Sequence, residues 1–161
     1  MRILAGEAKG RVLKTREGKG TRPTDARARE MLFNILGECV VGTRFLDLYA
    51  GSGAVGLEAL SRGAGFCVFI EQNAGAARAI RENVRACGWQ EQAQVWHTSV
   101  KSALRQLVDT GERFHIIFAD PPFSRPQELE DLARRLDNSA ELLHNVAGRR
   151  RGLLVVQHHR K

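Results

Sequence analysis

The sequence has few cysteines and no long run of apolar residues. Its three cysteines, Cys39, Cys67 and Cys87, are odd in number, widely spaced and without a Cys-x-x-Cys pair. This pattern argues against a disulfide framework and a metal centre, so we expect buried thiols and no metal. The apolar runs have the length of strands, far short of the roughly 20 residues of a membrane helix. No secretory signal pattern opens the chain, and we therefore expect a cytoplasmic protein without a membrane-spanning segment.

The length of the chain limits its domain organisation. With 161 residues it is long enough for one domain with a substantial core and too short for two comfortable ones. Its apolar fraction of 43% and charged fraction of 27% are those of an ordinary soluble globular protein. We expect a single domain over residues 1–161, with a basic appendage over 1–38 and an α/β core over 44–161.

The positive charge is concentrated at the start of the chain. The formal net charge is +7, and residues 1–30 carry nine Lys or Arg against four Asp or Glu. A basic, glycine-containing arm of this kind favours binding to a polyanion through the release of counterions. The alternative that charge alone leaves open is a solvated, solubilising surface.

From residue 44 on, short apolar runs alternate with amphipathic segments of helical length. The predicted strands are Phe45–Tyr49, Cys67–Ile70, Val95–His97, Ile116–Ala119 and Leu153–Val156. The predicted helices between them are Val55–Ser61, Ala74–Ala86, Val100–Val108 and Glu128–Leu136. This alternation predicts an α/β fold with a mostly parallel sheet and helices on both faces. Ahead of it, Arg2–Ala5 and Arg11–Lys14 predict a small β-hairpin, and Asp25–Leu36 predicts a helix.

The segment Asp120–Phe123, Asp-Pro-Pro-Phe, directly follows the apolar run Phe114–Ala119. Two consecutive prolines cannot continue a central strand, because neither has an N–H for the ladder. We therefore expect a buried strand that ends abruptly, with a carboxylate, a rigid turn and an aromatic ring at the edge where α/β sheets bind ligands. These groups suit a planar base with an exocyclic amine. The alternative is a turn that only ends the strand, with Asp120 as a cap and Phe123 in the core.

A glycine-rich turn is predicted after the first strand, where Gly51, Gly53 and Gly56 form Gly-x-Gly-x-x-Gly. Glycines let the backbone approach a ligand closely, and a helix N-terminus offers free N–H groups. Asp47, four residues earlier, would repel a pyrophosphate and attract a cationic ligand such as S-adenosylmethionine. Glu71 ends the second strand, where an acid can accept both ribose hydroxyls of a cofactor. The alternatives are helix capping for Asp47 and a solvated strand end for Glu71.

Together these motifs resemble the class I S-adenosylmethionine-dependent amino-methyltransferases, which have a Rossmann-like fold. With the segments Arg2–Gly6, Lys9–Arg11, Thr21–Thr24, Arg27–Asn34 and Gly51–Gly63, the chain is similar over nearly its whole length to the bacterial RsmD family. Those enzymes methylate the N2 amine of a guanine in 16S ribosomal RNA. The resemblance implies the same reaction, with S-adenosylmethionine as methyl donor, no metal, and 16S rRNA or a small-subunit assembly particle as partner. We expect a monomer.

The resemblance also implies roles for individual residues. Asp120, Pro121, Pro122 and Phe123 would hold the target base: Asp120 and the Pro121 carbonyl would accept hydrogen bonds from the two amine N–H groups, and Phe123 would stack on the ring. The implied cofactor-binding residues are Asp47, Tyr49, Gly51, Ser52, Gly53, Glu71, Gln72, Ser99 and Asp120. The implied RNA-binding residues are Lys9, Arg11, Lys14, Arg22, Arg27, Arg29 and Asn34.

The sequence departs from the family pattern in three places. Asp25 follows Thr24 directly, so Ala26 takes the place of the usual acid, and Ser99 stands where Asp or Asn is common. The family continues past the fifth strand, so we expect its C-terminal strand hairpin to be missing here. Two other functions stay open: an amino-methyltransferase acting on DNA adenine or cytosine or on protein glutamine, and a non-catalytic RNA-binding relative.

Overall fold

The structure is a computed structural model that describes residues 1–15, 26–121, 134, 142–143 and 152–157. Its helices are α1 (Ala26–Leu36), α2 (Ala54–Ser61), α3 (Ala74–Cys87) and α4 (Val100–Asp109). Its strands are β1 (Arg44–Leu48), β2 (Phe66–Glu71), β3 (Ala93–His97), β4 (Ile116–Ala119) and β5 (Leu153–Val156). Two short 3-10 turns, Gly37–Val40 and Gln90–Gln92, precede β1 and β3. Over the described ranges, no helix has the length and apolarity needed to cross a membrane.

The five strands form one parallel sheet in the order β3-β2-β1-β4-β5. The register pairs Leu48 of β1 with Ile70 of β2 and with Ala119 of β4, so the three central strands end level with one another. These strands are nearly continuous runs of buried apolar residues, as expected for a parallel sheet covered on both faces. The predicted α/β fold is confirmed.

The elements lie close to their predicted positions. The predicted and observed bounds of β4 and β5 agree, whereas β2 and β3 begin one and two residues earlier than predicted, at Phe66 and Ala93. Strand β1 ends at Leu48, because Tyr49 has a φ of 60° and leaves the extended conformation. Of the helix predicted over Glu128–Leu136, only Arg134 belongs to the described residues.

Helices cover both faces of the sheet. On one face, α2 and α3 pack in a core that contains Phe45 and Phe69, and on the other α4 packs in a core that contains Leu46 and Val68. Helix α3 begins where the Asn73 side chain accepts a hydrogen bond of 3.0 Å from the amide of Ala76. Helix α3 therefore begins just beyond the carboxyl end of β2, and the chain then runs back along the sheet to the start of β3.

The predicted N-terminal hairpin lies with α1 over the face that α2 and α3 cover. Arg2 and Val12 form an antiparallel bridge, which leaves the side chains of Ile3 and Leu13 buried. Both belong to the same core cluster as Phe33 of α1. An isolated two-stranded hairpin is marginally stable in water, so this burial is what orders the segment.

Candidate active site at the carboxyl edge of the sheet

The carboxyl ends of β1 and β4 form a topological switch point. From β1 the chain passes through α2 to β2 on one side, and β4 lies on the other side of β1. The crevice outside such a point is where open α/β sheets bind ligands. The level ends of the strands bring Tyr49, Glu71 and Asp120 to this edge. The sequence-predicted cofactor and base residues therefore meet at one place.

The three glycines of the Gly-x-Gly-x-x-Gly segment, two in the turn after β1 and one in α2, have different structural roles. Gly51 has a φ of 54°, and a Cβ there would meet nothing closer than 3.8 Å, so its backbone faces open space. A Cβ at Gly53, which has a φ of 74°, would lie 2.9 Å from Ile80 Cγ1. A Cβ at Gly56 would lie 2.3 Å from Phe69 Cε1, so this glycine allows α2 to pack directly on β2. Gly51 is thus where a ligand can approach the turn closely.

Asp47 is buried beneath this turn and binds the first turn of α2. It is 1% exposed, and its Oδ2 accepts a hydrogen bond of 2.9 Å from the amide of Gly56. Burial raises the pKa of Asp47 to about 7; the Gly56 hydrogen bond opposes this shift, whereas the charges of Asp120 and Glu71 add to it. The helix-capping role that the sequence left open is therefore present in the structure. A contact between Asp47 and a cofactor stays a prediction.

Glu71 connects the end of β2 to the glycine turn. Its Oε2 accepts a hydrogen bond of 2.7 Å from the amide of Gly51, and its Oε1 accepts one of 2.6 Å from the amide of Asn73. Each carboxylate oxygen has a further lone pair, so Glu71 can bind additional hydroxyl donors from the crevice. Glu71 is therefore not the solvated strand end of the alternative interpretation, and it is 8% exposed.

Asp120 follows β4 and is half-buried. Its charge contributes to the raised pKa of Asp47, which places the two carboxylates within electrostatic reach of each other. Pro121 is buried next to it. Pro122 and Phe123, predicted to form the rigid turn and the stacking ring, lie outside the described residues.

Three further predicted cofactor residues flank the turn or follow β2 and β3. The Ser52 hydroxyl lies in the glycine turn, 3.6 Å from the sulfur of Met1. Gln72 is exposed, and its carbonyl oxygen lies 3.0 Å from His97 Nε2. Ser99 caps α4, because its hydroxyl accepts a hydrogen bond of 3.2 Å from the amide of Ser102. The cofactor contacts of these three residues stay predictions.

Of the predicted RNA-binding residues, five are exposed, one lies outside the described residues, and Arg29 is buried. The exposed ones are Lys9, Arg11, Lys14, Arg27 and Asn34. Arg22 lies outside the described residues. Lys14 pairs with Glu82 at 2.9 Å on the surface, a contact weak enough to exchange for a phosphate.

The prediction that Arg29 binds RNA is wrong. Arg29 is 1% exposed, its Nη2 donates to the carbonyl of Arg2 at 2.8 Å, and its Nε lies 3.7 Å from Glu58 Oε2. Burial lowers the pKa of Arg29, and the Glu58 carboxylate partly offsets this effect. Charge counting could not reveal this burial, because the partner acid lies 29 residues further along the chain.

Sequence reasoning also missed Glu58, a fully buried carboxylate on α2. Its Oε2 accepts the amide of Leu4 at 2.8 Å, and its Oε1 accepts the amide of Ala5 at 3.0 Å. The signal available in the sequence was an acid within an otherwise apolar stretch of helix. That signal marks a buried charge without indicating its partners.

The fold and the site together define a class I methyltransferase. The chain belongs to the family described as conserved hypothetical protein 95, whose model matches residues 1–161, and this is the RsmD family of the sequence-based resemblance.

Two curated relatives and a solved structure illustrate the similarity. The Bacillus subtilis protein named "Putative rRNA methyltransferase YlbH" is 35% identical over 161 residues, which cover 100% of this chain and 84% of that protein. Ribosomal RNA small subunit methyltransferase D of Escherichia coli K12 is 39% identical over 125 residues, or 78% of this chain and 61% of that protein. The structure described as "Putative methyltransferase yhhF from Escherichia coli" superposes with a TM-score of 0.75 at 37% identity, covering 86% of this chain and 74% of that one.

Proposed function

We propose that this protein transfers a methyl group from S-adenosylmethionine to the N2 amine of a guanine in 16S ribosomal RNA. The observation that carries the proposal is the placement of Asp120 at the switch point, where β4 ends level with the end of β1 that leads into the glycine turn, while Glu71 ends β2 on the other side of β1. A nucleoside cofactor and an amine-bearing base would then meet at one edge of the sheet. The membership of the RsmD family supports RNA as the substrate.

The cofactor fits the residues present. Gly51 offers open backbone at the turn, and the second lone pairs of Glu71 are suited to a pair of ribose hydroxyls. Asp47, once ionised, would attract the positive charge of the sulfonium. When bound, S-adenosylmethionine supplies an electrophilic methyl group, and the chain's own residues supply the positioning.

The amine of guanine needs activation, because its lone pair is delocalised into the ring. Asp120 and the carbonyl of Pro121 would accept hydrogen bonds from its two N–H groups, which pulls the nitrogen toward tetrahedral geometry and directs the lone pair at the methyl group. Asp120 would then take up the proton that the amine loses when the N–C bond forms and the methyl–sulfur bond breaks. Phe123 would stack on the base. Positioning and electrostatic stabilisation then supply most of the acceleration, and no covalent intermediate on the protein is required. The base has to leave its stack to reach this crevice.

Transfer of a labelled methyl group tests the proposal. Wild-type protein is incubated with labelled S-adenosylmethionine and either deproteinised 16S rRNA or assembled small-subunit particles, beside Asp120→Ala and the isosteric Asp120→Asn. We expect the wild type to label RNA in at least one substrate and Asp120→Ala to lose about a hundredfold or more in rate at saturating cofactor. No label in either RNA, or near-normal turnover by Asp120→Ala, would overturn the proposal.

A further inference from the structure

The basic hairpin, residues 1–14, is fixed to α2, the helix that follows the glycine turn. Its loop approaches the end of α2 so closely that a Cβ at Gly6 would lie 1.8 Å from the carbonyl oxygen of Ser61. The amide of Glu7 donates to that same carbonyl at 2.8 Å, and the Ser61 hydroxyl donates to the carbonyl of Ala5 at 2.6 Å. The hairpin is therefore in backbone contact with α2.

Glu58 is the charged group at the centre of this contact. Besides the amides of Leu4 and Ala5, its carboxylate binds Arg62 at 2.8 Å and approaches Arg29 of α1. A carboxylate removed from water is costly unless hydrogen bonds and opposite charges surround it, and this one has both. Glu58 lies five residues after Gly53, on the short helix that follows the glycine turn. Its contacts with the described residues all lie away from the carboxyl edge of the sheet, so we place it outside the reacting groups.

The opposite end of the hairpin is clamped to α3. The buried side chain of Asn83 accepts the amide of Lys14 at 2.8 Å and donates to its carbonyl at 2.9 Å. Four basic side chains of the hairpin are exposed, although Arg11 also donates to the carbonyl of Ala86 and Lys14 pairs with Glu82. The exposed cations are Arg2, Lys9, Arg11 and Lys14.

We infer that Glu58 is a positioning residue for RNA. It holds the cationic hairpin at a fixed place relative to the glycine turn, and phosphates bound by the hairpin then set the location of the target base. The inference rests on the proposed function for the identity of the RNA. The role of Glu58 is tested by the affinity of the protein for RNA, which can be measured without any methyl transfer.

Two variants separate the hairpin's position from its charge. Glu58→Gln removes the carboxylate, with Glu82→Gln as control, because Glu82 contacts the same hairpin from the exposed surface. Gly6→Ala forces the loop away from α2, with Gly10→Ala as control. Both glycines have φ near 85°, but a Cβ at Gly10 would meet nothing within 4 Å. Gly6→Ala removes no buried charge, so it reports on docking even where Glu58→Gln folds poorly.

Trp89 provides a direct signal of docking. Its indole Nε1 donates to Glu7 Oε1 at 2.6 Å, and the ring is 4% exposed. In a Trp96→Phe background, we expect the emission of Trp89 to shift to the red in Glu58→Gln and Gly6→Ala, and to stay unchanged in the two controls.

The decisive measurement is the affinity for end-labelled 16S rRNA transcribed in vitro, set beside the affinity for S-adenosylmethionine from calorimetry. We expect Glu58→Gln and Gly6→Ala to weaken RNA binding by about tenfold or more, because the cations no longer converge on the phosphates, and to change cofactor affinity by less than about twofold. Unchanged RNA affinity in Gly6→Ala with a red-shifted Trp89 would overturn the inference, as would equal losses for RNA and cofactor. A wild type that binds RNA in this way without methylating it would refute the proposed function alone.

Discussion

The carboxylate of Asp47 accepts a hydrogen bond of 2.9 Å from the amide of Gly56, which joins the buried strand β1 to the first turn of α2. This contact lies directly beneath the glycine turn. Since the acid is buried, its protonation state affects both the stability of the fold and the electrostatics of the crevice.

The first prediction concerns stability and pH. The folded pKa of Asp47, about 7, lies above the ordinary value of 3.8, so the folded state binds this proton more tightly than the unfolded chain does. The stabilising contribution is therefore fully present below about pH 4 and is lost as the pH rises through about 7. Asp47→Asn mimics the protonated acid and keeps an acceptor for Gly56.

Chemical denaturation of the two proteins between pH 4 and 8 measures this contribution. We expect the unfolding free energy of Asp47→Asn, relative to wild type, to rise with pH by up to about 1.4 kcal/mol per unit. A difference that stays constant over this range would contradict a raised pKa at Asp47.

A second prediction concerns the charge of the ligand. Only ionised Asp47 attracts the sulfonium, so we expect the affinity for S-adenosylmethionine to rise between pH 6 and 8 by up to about tenfold. S-adenosylhomocysteine lacks the sulfonium charge and should show a smaller rise in the same calorimetric titrations. Asp47→Asn should remove the difference between the two ligands. Equal pH slopes for both ligands in the wild type would rule out a direct role of Asp47 toward the sulfonium.

A third prediction concerns Glu71, whose carboxylate binds the amides of Gly51 and Asn73. Glu71→Gln replaces one acceptor oxygen by an NH2 donor. The variant therefore loses either the hydrogen bond from the amide of the turn or an acceptor for a ribose hydroxyl. We expect cofactor affinity to fall by about tenfold to a hundredfold. The exposed Glu91→Gln is the control, and calorimetry should find it unchanged. Wild-type affinity in Glu71→Gln would remove Glu71 from the site.

A fourth prediction separates two cations of the basic N-terminal region. Arg29→Gln leaves the Glu58 carboxylate without its buried partner, and we expect it to lower the unfolding free energy by about 3 kcal/mol. Lys9→Gln removes the same formal charge from an exposed position and should leave stability unchanged. It should also reduce the slope of log RNA affinity against log salt by about 0.7 to 0.9. If Arg29→Gln lowered that slope at normal stability, Arg29 would be an RNA contact after all.

The sequence predicted the parts of this molecule that depend on local patterns. The apolar run before Asp120 and the two prolines that follow identify β4 and its abrupt end, and the glycine pattern identifies the turn after β1. The alternation of strands and helices then brings these features to one edge, because parallel strands share their carboxyl ends. The network around Glu58 could not be predicted in this way, since it joins three segments that are distant in sequence. For the same reason, the sequence did not distinguish the buried Arg29 from the exposed basic residues around it.

The position of the transferred methyl group tests the central proposal most directly. RNA labelled by the wild-type protein is digested to nucleosides, which are separated and identified by mass spectrometry against synthetic standards. The proposed role of Asp120 and Pro121 predicts N2-methylguanosine as the single new nucleoside, and its absence after reaction with Asp120→Ala. A methyl group on adenine, on cytosine or on another atom of guanine would contradict the proposal.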